Sequence, residues 1–316
     1  MRILAFLLLL PALSVAQVPH TFQNGDVADA DKINQNFETL SDRIDALADP
    51  FGVFSRGQPF HEVLINCDTQ PAALQTYLEQ GSAIEFDRLK FNIVGNCVLT
   101  DDQLISNSYR HVWLAGSTTD GAFSEGDCSD QTKITYTNPD SNLLTIGAVA
   151  TSLWISCITF DARLNIQAYG HAYVRFGPGV KTANPEQLLT VGIRANSTFR
   201  TFYANRIDSL LIRNDSLVEM NSVDNINIGS LIVKGRSMFA CRFCFNGTVN
   251  DAEIRQGSNL TFLAQRGLIN IEQLVGRERS QVNIENISQN PELYAVTVNE
   301  QILEGDSVIY ESIYGQ

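Results

Sequence analysis

SLLIRNDSLVEM (209–220), SLIVKGRSMFAC (230–241) and DAEIRQGSNLTF (251–262) are three versions of one pattern, and their alignment decides the fold. Ile212, Val233 and Ile254 fall 21 residues apart; so do Ser216, Ser237 and Ser258, and Met220, Cys241 and Phe262. Downstream the frame reaches Ser280, Val282 and Ile284 with a step of 22, and upstream Val191, Ile193, Ser197 and Phe199 with a step of 19. Beyond an insertion, FGPGVKTANPEQ (176–187), it continues as Leu164/Ile166/Gly170/Ala172/Val174. A step of 20 then gives Leu144/Ile146/Ala150/Ser152/Trp154. A fixed period in the low twenties marks a solenoid, whose units stack to share one core. Apolar residues at alternate positions inside each unit specify short strands rather than helices. The expectation is an all-β chain, a parallel β-helix occupying residues 91–288.

The ends read differently. MRILAFLLLLPALSVA (1–16) has one charge, Arg2, an apolar run too short to span a bilayer and a small-x-small site ending at Ala16. That is a secretory signal peptide cleaved near Ala16, and the expected location is secreted or periplasmic. No other stretch is apolar enough to form a membrane span. The 22 basic and 35 acidic residues give a formal net charge of −13, and loss of Arg2 makes it one unit more negative. Such a surface repels nucleic acid, so no nucleic-acid partner is expected. Six cysteines in an exported chain point to disulfides. Proximity favours Cys67–Cys97, Cys128–Cys157 and Cys241–Cys244. The last is a C-x-x-C, but Cys241 shares its slot with Met220 and Phe262, which makes it a core residue, and no further motif completes a metal site.

Residues 17–50 form a helical head. Ile33, Phe37, Leu40, Ile44 and Leu47 have heptad spacing, so residues 30–47 either dock on their own solenoid or hold copies together as a short coiled coil. Residues 51–90 read as linker and N-terminal cap, with Pro71, Leu74, Tyr77, Leu78 and Gly81 outlining a short capping helix over the open first coil. Residues 289–316 alternate as strands that close or pack on the solenoid.

Four motifs resemble a group of exported bacterial proteins with right-handed, pectate-lyase-like β-helices. They are VPHTFQNGDVADADKINQNFETL (18–40), Cys67-Asp68 followed by Ala73-Leu74-Gln75, Ile93-Val94-Gly95-Asn96-Cys97, and Val112-Trp113-Leu114-Ala115-Gly116. The resemblance implies export and a right-handed, single-stranded solenoid with a short N-terminal helix. It implies no catalysis.

Equivalent positions in successive coils stack into columns. Most columns are core, and the serine column suits tight corners. One column is basic: Arg194, Arg213, Lys234 and Arg255 each follow the repeated Ile or Val. Like charges at strand spacing repel. Either they fan into solvent, neutralised by Asp215, Glu219 and Glu253, or they face carboxylates or sulfates of an acidic polysaccharide, to which arginine forks are suited. Tyr169, His171, Tyr173 and Arg175 on the preceding coil offer a stacking platform, of which Tyr173 joins the candidate ligand-binding set. For catalysis the only dense acidic groups are Asp101-Asp102 and Asp120/Glu125/Asp127/Asp130, away from the basic column. No catalytic residue, metal ligand or cofactor is assigned; the acidic loop would bind Ca²⁺ weakly at most.

The expected function is therefore a secreted, non-catalytic β-helix presenting an extended surface to a polysaccharide or other cell-surface component. The alternative is a polysaccharide lyase or glycoside hydrolase acting on an acidic glycan.

Overall fold

The computed structural model describes residues 60–79, 88–101, 111–123, 127–138, 143–182, 189–202, 206–221, 223, 225–265, 267–286 and 295–313. The chain divides into two compact units, residues 1–58 and 59–316, and every described residue belongs to the second. The expected signal peptide, helical head and coiled-coil segment lie outside the described residues.

That second unit is an all-β parallel solenoid of about 8 turns. Sheet 1 has eleven strands: β1 (His61–Asn66), β2 (Arg88–Val94), β4 (His111–Gly116), β7 (Ser152–Ser156), β10 (Tyr173–Phe176), β13 (Thr198–Thr201), β15 (Leu217–Asn221), β17 (Met238–Arg242), β19 (Asn259–Gln265), β21 (Gln281–Asn286) and β23 (Val308–Ile313). Sheet 2 has eight: β6 (Leu143–Val149), β9 (Arg163–Tyr169), β12 (Leu189–Arg194), β14 (Arg206–Arg213), β16 (Ile226–Lys234), β18 (Gly247–Ile254), β20 (Leu268–Gly276) and β22 (Ala295–Leu303). Sheet 3 has four short strands, β3 (Asn96–Leu99), β5 (Lys133–Tyr136), β8 (Thr159–Asp161) and β11 (Lys181–Thr182). Parallel pairing already begins at β1 and β2, and it continues through β22 and β23. The segments read as linker and closing tail thus both contribute coils. The helix α1 (Ala73–Glu79) buries Leu74 and Leu78 in the common core and sets Tyr77 against Phe91 at 6.2 Å between ring centroids.

The three repeats pair in the register that their spacing predicts. Ile212 lies beside Val233 and Val233 beside Ile254, while Met220, Cys241 and Phe262 form a second inward line, all buried. Each such side chain removed from water stabilises the coil by about 1.5–3 kcal/mol. Near the N-terminal end the spacing misleads. A step of 20 aligns Ser152 with Ala172 and Trp154 with Val174, but β7 pairs with β10 as Ser152 with Tyr173 and Trp154 with Arg175. The corner explains the slip. Gly170 and His171 both adopt positive φ, whereas the corner before β7 has only Ala150 there, so one coil turns on one residue fewer. A one-residue slip moves every side chain to the opposite face, and Trp154 faces outward rather than into the core.

Between sheets 2 and 1 the later corners repeat one geometry. Ala195/Asn196, Asn214/Asp215, Gly235/Arg236, Gln256/Gly257, Glu278/Arg279 and Gly305/Asp306 are consecutive left-handed residues. Just past each corner sits a serine of the conspicuous column. The amide of Ser197 donates to Ser216 Oγ, that of Ser216 to Ser237 Oγ and that of Ser237 to Ser258 Oγ, each at 3.2 Å. The hydroxyls satisfy buried amides that the turn pulls out of the sheet ladder, which gives the column a structural role. Three disulfides join Cys67 to Cys97, Cys128 to Cys157 and Cys241 to Cys244, leaving no free cysteine. Three such bonds fit a non-reducing compartment. Both members of the C-x-x-C are fully buried, where no redox partner reaches them.

Candidate functional site

The basic column is real in register. Arg194 pairs with Arg213 and Arg213 with Lys234 at the ends of β12, β14 and β16. Arg255 extends the ladder, its amide donating to the Val233 carbonyl at 2.9 Å. A fifth member follows: the Arg277 amide donates to the Ile254 carbonyl at 2.9 Å, which puts Arg277 next to Arg255. In sequence the recurring signal is an apolar residue followed by a basic one, and at Gly276-Arg277 the apolar half is lost. Glu304 closes the column, its carboxylate 3.4 Å from Arg277 Nε.

All five cations are half-buried rather than splayed. The Nε atoms of Arg194, Arg213 and Arg277 are enclosed and make no hydrogen bond, so the stems are packed and the outer guanidinium edges face out. Of the carboxylates expected to neutralise the column, only Glu253 does so, accepting from Arg255 Nε at 2.6 Å. Asp215 instead pairs with Arg236 at the corner (3.0 Å), and Glu219 lies on sheet 1 between Arg200 Nε (2.7 Å) and Arg242 Nε (3.0 Å). Among the described residues, Arg194, Arg213 and Lys234 take part in no ion pair. Two like charges ~5 Å apart repel by about 1 kcal/mol even in bulk water, so three neighbouring cations without partners are a standing cost. Beside them on sheet 2 runs an outward, half-buried line, Leu211, Ile232, Glu253 and Val275, aliphatic except at Glu253.

Tyr173 is not part of this column. It sits on sheet 1, across the corner, beneath Arg200, whose guanidinium carbon is 5.9 Å from the tyrosine ring centroid. Tyr169 occupies the column position before Arg194 on β9, and His171 lies exposed in the corner itself. The platform of four is therefore divided between two faces.

Sheet 1 carries an outward line that the spacing did not expose. Register places Glu62, Lys90, Trp113, Trp154, Arg175, Arg200 and Glu219 side by side on successive strands. Trp113 and Trp154 meet edge to face at 5.8 Å, and Phe60 stands 5.8 Å from Trp113. Cations cover the ring faces: Arg88 over Phe60 at 4.5 Å, Lys90 over Trp113 at 4.7 Å, and Arg175 between Trp154 (5.3 Å) and Phe202 (5.6 Å). Such contacts contribute about 0.5–1 kcal/mol each where water reaches them. The hydrogen bond from Asn92, then that from Lys90, hold the Glu62 carboxyl below its ordinary pKa.

The acidic groups of the first coils serve local structure. Asp120 accepts from the Thr118 hydroxyl and from the Ala122 amide, Asp130 pairs with Lys181 at 2.7 Å, and Gln75 Nε2 donates to both Glu79 (2.6 Å) and Asp101 (2.7 Å). These bonds lower the pKa of Asp120, Asp130 and Glu79, so all three are ionised at neutral pH. Asp102 and Glu125 lie outside the described residues. Among the described residues no three His, Cys, Asp or Glu side chains are grouped as metal ligands, and no helix is long and apolar enough to cross a membrane. Comparison with known proteins gave no matching family model, no matching curated protein and no matching solved structure.

Proposed function

We propose that this protein is an exported, non-catalytic solenoid that binds an acidic polysaccharide along Arg194, Arg213, Lys234, Arg255 and Arg277. One observation carries the reading: in a chain of net charge −13, five cations stand in one register column, and three of them have no carboxylate among the described residues. A linear polyanion relieves their mutual repulsion and offers each guanidinium a carboxylate or sulfate in the geometry its fork accepts. The column follows the coil stack in register, one cation per strand, which suits an extended chain better than a compact ligand. The reading requires no cofactor. It includes a right-handed coil, cleavage near Ala16, α1 as cap of the first coil, and residues 30–47 as a weak joint between copies.

The test is titration of polygalacturonate by calorimetry. Binding should weaken at least tenfold in Arg213→Ala/Lys234→Ala and also fall steeply with salt, because exposed charges are screened beyond ~8 Å at physiological ionic strength. Binding that persists in the double variant removes the column as the site. Release of unsaturated oligosaccharides from the polymer, followed by the absorbance of the new double bond, would instead establish the lyase alternative. A light-scattering mass that stays monomeric at micromolar concentration removes the joint at residues 30–47.

A further inference from the structure

We infer that the row Thr145–Asn165–Gln167–Tyr169 on the outer face of sheet 2 is a sugar subsite that reads hydroxyl groups, placed at the end of the basic column. The inference rests on the acidic-polysaccharide reading and adds a feature that distinguishes a sugar from any other polyanion. Asn165, Gln167 and Tyr169 are outward residues of β9, and Thr145 stands beside Asn165 on β6. A chain of hydrogen bonds joins them. Tyr169 Oη donates to Gln167 Oε1 (3.3 Å), Gln167 Nε2 to Asn165 Oδ1 (2.6 Å) and Asn165 Nδ2 to Thr145 Oγ1 (3.1 Å). Register puts Tyr169 in the position before Arg194, so the row lies one strand spacing, ~4.8 Å, from the first cation.

The row satisfies no main-chain group. The corner serines accept from buried amides, whereas these three bonds run between half-buried side chains, on a strand whose backbone is already paired on both sides. The chain of bonds instead fixes the direction of the hydrogens it leaves over: the Thr145 hydroxyl proton and one N–H each on Asn165 and Gln167, with a lone pair on Tyr169 Oη. Such mixed donors and acceptors match sugar hydroxyls, which both donate and accept; the side-chain carboxylates of an acidic peptide only accept. Two glycines shape the floor. A Cβ at Gly192 would stand 2.6 Å from Gln167 Oε1, so glycine there lets the amide lie across β12. At Gly147, beside Gln167 on β6, a Cβ would meet nothing within 4 Å among the described residues, which leaves a bare step against the amide. Among the described residues no cation covers the Tyr169 ring, whose face is available to the C–H face of a sugar. In the next coils the position of Gln167 passes through Gly192 to Leu211 and Ile232, beside Arg213 and Lys234. Apolar and cationic side chains in adjacent columns suit the ring face and the acid group of a uronate.

The probe is a fully methyl-esterified oligogalacturonide, which keeps the hydroxyls and loses the charge. Saturation-transfer NMR on the full chain should show transfer to its ring protons, falling at least threefold in Gln167→Ala and in Gly192→Ala. The second variant keeps the amide but displaces it, since the three atoms nearest the added Cβ all belong to Gln167. Calorimetry with polygalacturonate should show at least a threefold loss in Gln167→Ala with the salt dependence of the wild type, because the row carries no charge; Arg213→Ala/Lys234→Ala should flatten that dependence. Transfer to the ester should persist in the column variant, so the two readings fail separately. Undiminished polygalacturonate affinity in the column variant, with ester transfer intact, removes the column alone. Far-UV circular dichroism checks that each variant is folded. The row is overturned by the absence of transfer to the ester, by undiminished transfer in both row variants, or by equal losses for polygalacturonate and poly-L-glutamate in Gln167→Ala.

Discussion

Glu62 shows how a single outward position is held. Its carboxylate accepts from Asn92 Nδ2 at 2.8 Å and from Lys90 Nζ at 3.1 Å, while Lys90 is itself only 8% exposed beneath Trp113. Both bonds favour the charged form, so the folded pKa lies below that of the unfolded chain. The stabilisation is therefore fully present above the unfolded carboxylate value of about 4.3 and is lost as pH falls through the lower folded value. Because the Glu62 side chain is 53% exposed, solvent screening limits the effect to about 0.5 kcal/mol at neutral pH. Melting temperatures of the wild type and Glu62→Gln should differ by a degree or so at pH 7 and converge as pH falls from about 4.3 through the lower folded value. A gap that survives at pH 2 would mean that the hydrogen-bond geometry, not the charge, stabilises the fold.

At the scale of the element, the corner between sheets 2 and 1 sets the spacing. Ser237 is completely buried, and its Oγ accepts the Ser216 amide at 3.2 Å. Ser237→Ala leaves that amide enclosed without an acceptor and should cost about 1–3 kcal/mol, measured by urea denaturation. Ser237→Thr keeps the oxygen and should recover part of the loss; equal losses in both variants would show that space, not the hydrogen bond, is limiting. The same corner explains what could be read in advance. From β12 to β21 each corner has two left-handed residues, so the serines recur with little drift and the basic column is visible by counting. Earlier coils insert sheet 3 strands and loops, and the Ala150 corner is one residue shorter, so Trp113, Trp154 and Arg175 share a column that no constant step joins. The neutralisation of the basic column was illegible for another reason. Asp215 and Glu219 are near it in sequence, but the corner turns them onto other partners.

For the whole solenoid, the last described coil presents edge strands: among the described residues β22 and β23 each have one hydrogen-bonded neighbour, and a long edge invites pairing with another copy. Two positions that are core in the preceding coil change character here. Gln301 follows the buried Leu274 in register, and Glu311 follows the buried Ile284. The coil also carries Glu300, Glu304 and Asp306, with no lysine, arginine or histidine between residues 295 and 313. Polar groups at inward positions cannot be buried by a stacking copy without losing their hydration, and the acidic rim would oppose like charges. Ile302, Leu303 and Tyr310, all more than a third exposed, supply the apolar surface that these groups guard. Restoring the core pattern with Gln301→Leu/Glu311→Ile should therefore turn a protective end into an adhesive one. Light scattering at neutral pH should show the double variant forming larger, concentration-dependent species while far-UV circular dichroism keeps its β signature, and high salt should promote the association by screening the remaining acids. A variant whose mass stays equal to that of the wild type across the same concentrations would mean that edge geometry alone, without the inward polar groups, keeps the solenoids apart.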